Sequence, residues 1–247
     1  MKCLNPIIIL THIIMNKIIA DLRIIKGMEQ QLKLRQNRLT AGEKSIGWKV
    51  GFGAPASLQK LGLAAPLIGF LTDKILLPTN ATVSIAGWTK PAAEPEVAVY
   101  MGMDLSGGAD REAIRAAIGS LGAAIEIADV HFPPEDVEAI LAGNIYNRHV
   151  ILGSTDASRA GCNLDGLVGH VSYNGTKLPP VTDLYALTGD MVELVSHVAN
   201  TLSAFGEMLR AGEVIITGSI VPPLLVQANE VITYSLGPID TISVKFA

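Results

Sequence analysis

Pro91-Ala-Ala-Glu-Pro-Glu-Val-Ala-Val-Tyr-Met-Gly102 places apolar residues at Val97, Val99 and Met101, the two-residue period of a strand. Side chains two apart on a strand share a face, so Glu94 and Glu96 point at one spot. Glu126 follows in Ala123-Ala-Ile-Glu-Ile-Ala128, a second apolar run that also reads as a strand. Like charges held this close raise each other's pKa unless a cation or a base neutralises them. Carboxylate oxygens of this type select magnesium, manganese or calcium. The spacing alone equally fits two solvated glutamates at a strand end beside a proline, because charged side chains are mostly found at the surface.

Outward from this run, the composition bounds the class. The chain has 247 residues, 49% hydrophobic and 17% charged, which suits one large domain or two small ones with a substantial core. A formal charge of −4 and the lack of a Lys/Arg run argue against a nucleic-acid partner and leave small molecules as the expected ones. Cys3 and Cys162 are too few for a disulfide framework or a thiolate zinc site, which fits a cytoplasmic location. The Pro6 to Met15 run follows Lys2 like the apolar part of a signal peptide, but His12 interrupts it and no clean small-residue cleavage site follows. It is also shorter than the roughly 18 residues of a membrane span, so no membrane partner is expected. Residues before Met15 read as an upstream extension, or an added segment, packed on the surface or on an oligomer partner.

Met15 to about Thr40 has helical spacing, with Gly42 as a stop. Gly47 to Gly53 reads as a strand closing on a site, followed by a short helix over Pro55 to Leu61. Asp110 caps an expected helix from Arg111 through Gly122, leaving Glu126 to project from the end of the strand after it. Later strands are expected at His149–Gly153, Leu167–Tyr173, Val214–Gly218, Val231–Leu236 and Ile239–Phe246. Asn174-Gly175 marks a hairpin, and Met191–Leu202 is the main late helix. Because strands and helices do not alternate regularly, the expected fold class is α+β with a curled, largely antiparallel mixed sheet. The expected organisation is an N-terminal extension and helical segment over 1–40 and a catalytic domain over 41–247.

Several of these segments together resemble one family. They are Gly47-Trp-Lys-Val-Gly51, Pro66-Leu-Ile-Gly-Phe-Leu-Thr-Asp73, Glu94-Pro-Glu96 with Glu126-Ile-Ala-Asp129, and Ala211-Gly-Glu-Val-Ile-Ile-Thr-Gly-Ser219. In order and spacing, from about residue 28 onward, they are similar to the 2-keto-4-pentenoate hydratase and 4-oxalocrotonate decarboxylase family of the wider fumarylacetoacetate-hydrolase-like fold. The resemblance implies a partly open barrel with flanking helices. It puts Glu94, Glu96 and Glu126 in the places of three metal-binding carboxylates for Mg2+ or Mn2+. Lys49 takes the family's basic position, binding the substrate carboxylate or moving a proton. Gly51 would allow close backbone approach, and Thr217 and Ser219 would offer hydroxyls or amides to the substrate carboxylate. Asn144 persists where the family has Ala-Asp-Asn-Ala-Ser, while His131 would stand in for an arginine at the pocket edge.

The implied activity is that of a lyase on a small unsaturated 2-oxo acid, a hydratase first and a decarboxylase second. Leu67 stands where hydratases carry an acid, which favours the decarboxylase. Tyr146, Arg148 and His149 either reshape the distal pocket or lie on the outer face of a strand. An acylpyruvate hydrolase and a catalytically idle metabolite-binding relative are the further alternatives. A homo-oligomer, or a complex with a sister enzyme, is the implied assembly.

Overall fold

The computed structural model describes residues 21–247. The Pro6 to Met15 run and the start of the expected first helix lie outside the described residues. The helices are α1 (Leu22–Thr40), α2 (Pro55–Leu61), α3 (Arg111–Ala117), α4 (Val137–Ala142) and α5 (Met191–Ala204). The strands are β1 (Ser45–Gly51), β2 (Leu67–Thr72), β3 (Leu76–Leu77), β4 (Ala81–Val83), β5 (Pro91–Met101), β6 (Ile118–Asp129) and β7 (Asn147–Asp156). They continue with β8 (Val168–Tyr173), β9 (Thr176–Lys177), β10 (Val214–Ser219), β11 (Leu224–Leu225), β12 (Val231–Gly237) and β13 (Asp240–Phe246).

An eight-stranded sheet runs β2-β1-β10-β5-β6-β7-β3, with β11 added beside β5. A five-stranded sheet runs β4-β13-β12-β8-β9. Among the described residues only the β1/β10, β3/β7 and β4/β13 pairs are parallel, so the fold is α+β with a largely antiparallel mixed sheet, as expected. The two sheets share an apolar core: Val97, Val99, Ile125 and Ile127 from the larger and Tyr234, Leu236 and Val244 from the smaller form one buried cluster. The β1/β10 junction requires a glycine at position 47, where φ is 146° and an added Cβ would lie 1.9 Å from the Val214 carbonyl oxygen.

The helix expected to reach Gly122 stops at Ala117, and β6 begins at Ile118. Pairing with β5 extends from Met101↔Ile118 to Pro91↔Asp129, and burial of Ile118 and Leu121 favours that ladder where Gly119 and Gly122 make a poor helix. Glu126 therefore sits within a long central strand, opposite Glu94, instead of projecting from a strand end. The α4 helix, absent from the sequence-based expectation, is capped by the Asp136 carboxylate, which accepts from the Ala139 N–H. Helix α1 packs into the same body as the rest: the buried Gln31 amide donates to the carbonyls of Ile68 in β2 and Leu141 in α4.

Candidate active site and metal centre

Register builds the site. Glu94 on β5 pairs with Glu126 on β6, and Glu96 follows two residues on along the same face. One ligand atom from each of the three carboxylates lies within 4.8 Å of the others. Glu96 and Glu126 are completely buried and Glu94 is half-buried, so this is no wet strand end. Strand β1 inserts Lys49, only 2% exposed, whose ammonium donates to Glu126 Oε1 and, at 3.1 Å, to the Ile145 carbonyl. Asn147 Nδ2 donates to the same Glu126 oxygen at 2.9 Å, and the Gly218 N–H donates to Glu96 Oε2 at 2.7 Å.

These bonds leave Glu96 Oε1 and Glu126 Oε2 buried without a partner. Three carboxylates face one ammonium, and the charge imbalance shows in their proton affinities. Burial, and then the Glu126 charge, push Glu94 up to about 7 against the pull of Lys49. Burial and the charges of Glu126 and Glu94 hold Glu96 well above the usual carboxylate range, although the Gly218 N–H opposes this. Three converging carboxylates, two of them with an orphaned, desolvated oxygen, form a hard donor set, and a divalent cation fits it.

Of the three carboxylates, Glu94 lines a cavity of about 430 Å³, while Glu96 and Glu126 lie behind its wall. Lys49, Gly51, Glu94, Thr217 and Ser219 all line it, so five of the sequence-predicted residues meet there. The Thr217 hydroxyl donates to the Val97 carbonyl, which holds β10 against β5 and leaves its oxygen lone pairs on offer. Asn144 is not brought to the cavity lining. It is 1% exposed, and its amide is zipped to the Phe70 backbone, accepting from the N–H at 2.8 Å and donating to the C=O at 2.9 Å. Gly69 permits this approach, since a Cβ there would lie 2.8 Å from both Asn144 Oδ1 and Lys49 Cγ.

His131 also lies off the cavity lining: it is exposed, its Nδ1 meets the Asp129 carbonyl, and its ring packs edge-on against Tyr146. Tyr146 is buried and lines the cavity, whereas Arg148 turns away onto Asp129 and over Trp88. Sequence reasoning missed Asn147 as a partner of Glu126, and it sent the 217–219 amides to the substrate where one of them serves Glu96. Neither contact leaves a signal in linear spacing.

Residues 49–246 match the sequence profile of the family described as Fumarylacetoacetate (FAA) hydrolase C-terminal. The chain belongs to the fumarylacetoacetate hydrolase family. Within it, this family member is 32% identical over 221 residues to the 2-hydroxyhexa-2,4-dienoate hydratase of Comamonas testosteroni, covering 87% of this chain and 82% of the relative. It is 27% identical over 222 residues to a 4-oxalocrotonate decarboxylase of Pseudomonas putida, covering 87% and 83%. Among solved structures, the 4-oxalocrotonate decarboxylase of Pseudomonas putida G7 complexed with magnesium and adipate superposes with a TM-score of 0.80 at 25% identity, covering 88% of this chain and 83% of that one. Leu67, whose departure from an acid favoured the decarboxylase, is buried among Ile24, Met28 and Leu141 and does not line the substrate cavity.

Proposed function

We propose that this family member is a Mg2+- or Mn2+-dependent lyase that hydrates a small unsaturated 2-oxo acid of the 2-keto-4-pentenoate type. The convergence of Glu94, Glu96 and Glu126 beside a buried lysine, with Glu94 and Lys49 in the wall of a largely apolar cavity, carries this reading. A divalent cation held by the three carboxylates would supply charge stabilisation to the 2-oxo oxygen of the substrate.

The protein's own residues do the rest. The dienol must first lose its enol proton and gain one at C5, giving the conjugated 2-oxo-3-enoate; water then adds its hydroxyl at C4 and a proton at C3, so the site must hold a proton beside the substrate. Lys49 Nζ is the buried cationic donor at that place, fixed by Glu126 and the Ile145 carbonyl. Gly218 and Asn147 orient Glu96 and Glu126 so that each keeps one free oxygen for the cation. Gly51 and Ser219 line the cavity, where they would meet the substrate.

Decarboxylation is the second reading, favoured by the structural likeness to 4-oxalocrotonate decarboxylase. Incubation with 2-hydroxypenta-2,4-dienoate and with 4-oxalocrotonate in magnesium separates the two. The expected result is a 4-hydroxy-2-oxo product from the dienoate, and carbon dioxide release without hydration would overturn the hydratase. Light scattering of the eluting protein tests the homo-oligomer that belongs to this reading.

A further inference from the structure

Asn144, Ile145 and Tyr146 are three consecutive non-glycine residues with positive φ, at 58°, 52° and 60°. Left-handed backbone is disfavoured at each of them, and a run of three persists only where its surroundings enforce it. The enforcing contacts are the Asn144 clamp on Phe70 and the Lys49 ammonium on the Ile145 carbonyl. The product of the turn is the position of Tyr146. Its hydroxyl donates to the Phe132 carbonyl at 3.1 Å, which spends its polarity and leaves the ring for the cavity. Phe52, itself left-handed with φ 59°, faces it with ring centroids 6.4 Å apart.

We propose that this turn makes the pocket selective for a 2-oxo acid whose far end is apolar, against one that ends in a second carboxylate. The inference rests on reading the carboxylate cluster as the anchor for the 2-oxo acid head. Besides Lys49 and Glu94, the lining includes Ile145, Phe52, Tyr146, Val130, Leu187 and Val221. A carboxylate brought there leaves water without a partner, which is costly. The cations near the pocket are engaged elsewhere or exposed to water. Lys49 serves Glu126, and Arg148 serves Asp129 outside the lining. Lys90, just before β5, lines the pocket but is exposed, so its pairing with a carboxylate is screened by water.

The test is calorimetric titration of the full chain in saturating Mg2+ with 2-oxohexanoate and 2-oxoadipate. These share the chelating head and differ only in a terminal methyl or carboxylate. The expected result is binding of 2-oxohexanoate tighter by on the order of 100-fold, the scale set by an unpaired charge in an apolar site. Tyr146→Arg is expected to narrow that ratio at least tenfold by supplying a counter-charge, and Phe52→Lys serves the same purpose if the first variant does not fold. Equal binding, or a preference for 2-oxoadipate that disappears in Lys90→Ala, would overturn the selectivity while leaving the 2-oxo acid site intact. Binding of Mg2+ with neither ligand would instead remove the site reading itself and the selectivity with it.

Discussion

Replacing Glu96 by glutamine should make the metal-free protein more stable and the metal-loaded protein less so, a pair of opposite effects that a structural glutamate would not produce. Glutamine keeps the shape and can still accept from the Gly218 N–H, but it carries no charge. At an effective dielectric constant of about 20 and the 4.8 Å that bounds the ligand spacing, one carboxylate pair repels by about 3 kcal/mol. Glu96 meets two such repulsions and one attraction to Lys49, so removing its charge relieves on the order of 3 kcal/mol.

The pH dependence follows from the same burial. Glu96 is an acid whose pKa is raised on folding, so the native metal-free protein holds a proton that the unfolded chain has lost. Wild-type stability without metal therefore falls as pH rises above the ordinary glutamate value of 4.5, and Glu96→Gln escapes that fall. Urea unfolding in EDTA at pH 6 and pH 8.5, repeated in excess magnesium, reads both effects. In thermal unfolding the full 3 kcal/mol would appear as roughly 6–12 °C for a chain of this size. The reasoning is refuted if Glu96→Gln is less stable than wild type in EDTA at pH 8.5 and magnesium stabilises both proteins equally.

Burial and the Glu126 charge push Glu94 up to about 7 without metal, so protons compete with the cation; magnesium affinity by calorimetry should rise from pH 6 to pH 8, and a flat profile contradicts the assignment. Lys49→Met removes the ammonium from Glu126 and the Ile145 carbonyl. It should lower kcat by at least about 100-fold while magnesium still binds, and loss of magnesium binding would make Lys49 a support of the metal site instead. Asn144→Ala gives up both hydrogen bonds to Phe70 and the residue type that best tolerates left-handed backbone. It should cost about 2–3 kcal/mol by urea unfolding, and a loss below about 0.5 kcal/mol would show that the clamp does not hold the turn.

Strand β5 was readable from its alternation, and α2, the 174–175 hairpin and α5 followed from local signals with ends close to those observed. The end of α3 was signalled only by Gly119 and Gly122, poor helix formers after the Ala-rich Arg111 to Ala117, and that weak cue was outweighed by the apolar spacing of Ile114, Ile118 and Leu121. Only the eleven-residue face of β5 makes a strand of Ile118 to Gly122. Asn144 shows the same limit at the site. Its identity suggested a polar contact, but whether that contact is a ligand or the Phe70 backbone depends on β2, whose buried run carried no strand expectation.

By itself the sequence determined the chemistry available: three glutamates and a lysine in recurrent motifs, on segments whose period placed Glu94 and Glu96 on one face. Side-chain period is a local property of the backbone, so it survives without knowledge of neighbours. The tertiary structure alone decided that Glu126 stands opposite Glu94, that two carboxylates lie fully out of water, and that the far wall of the cavity is aromatic. Those facts depend on strand register and on the left-handed turn at 144–146, which are set by contacts between residues far apart in the chain.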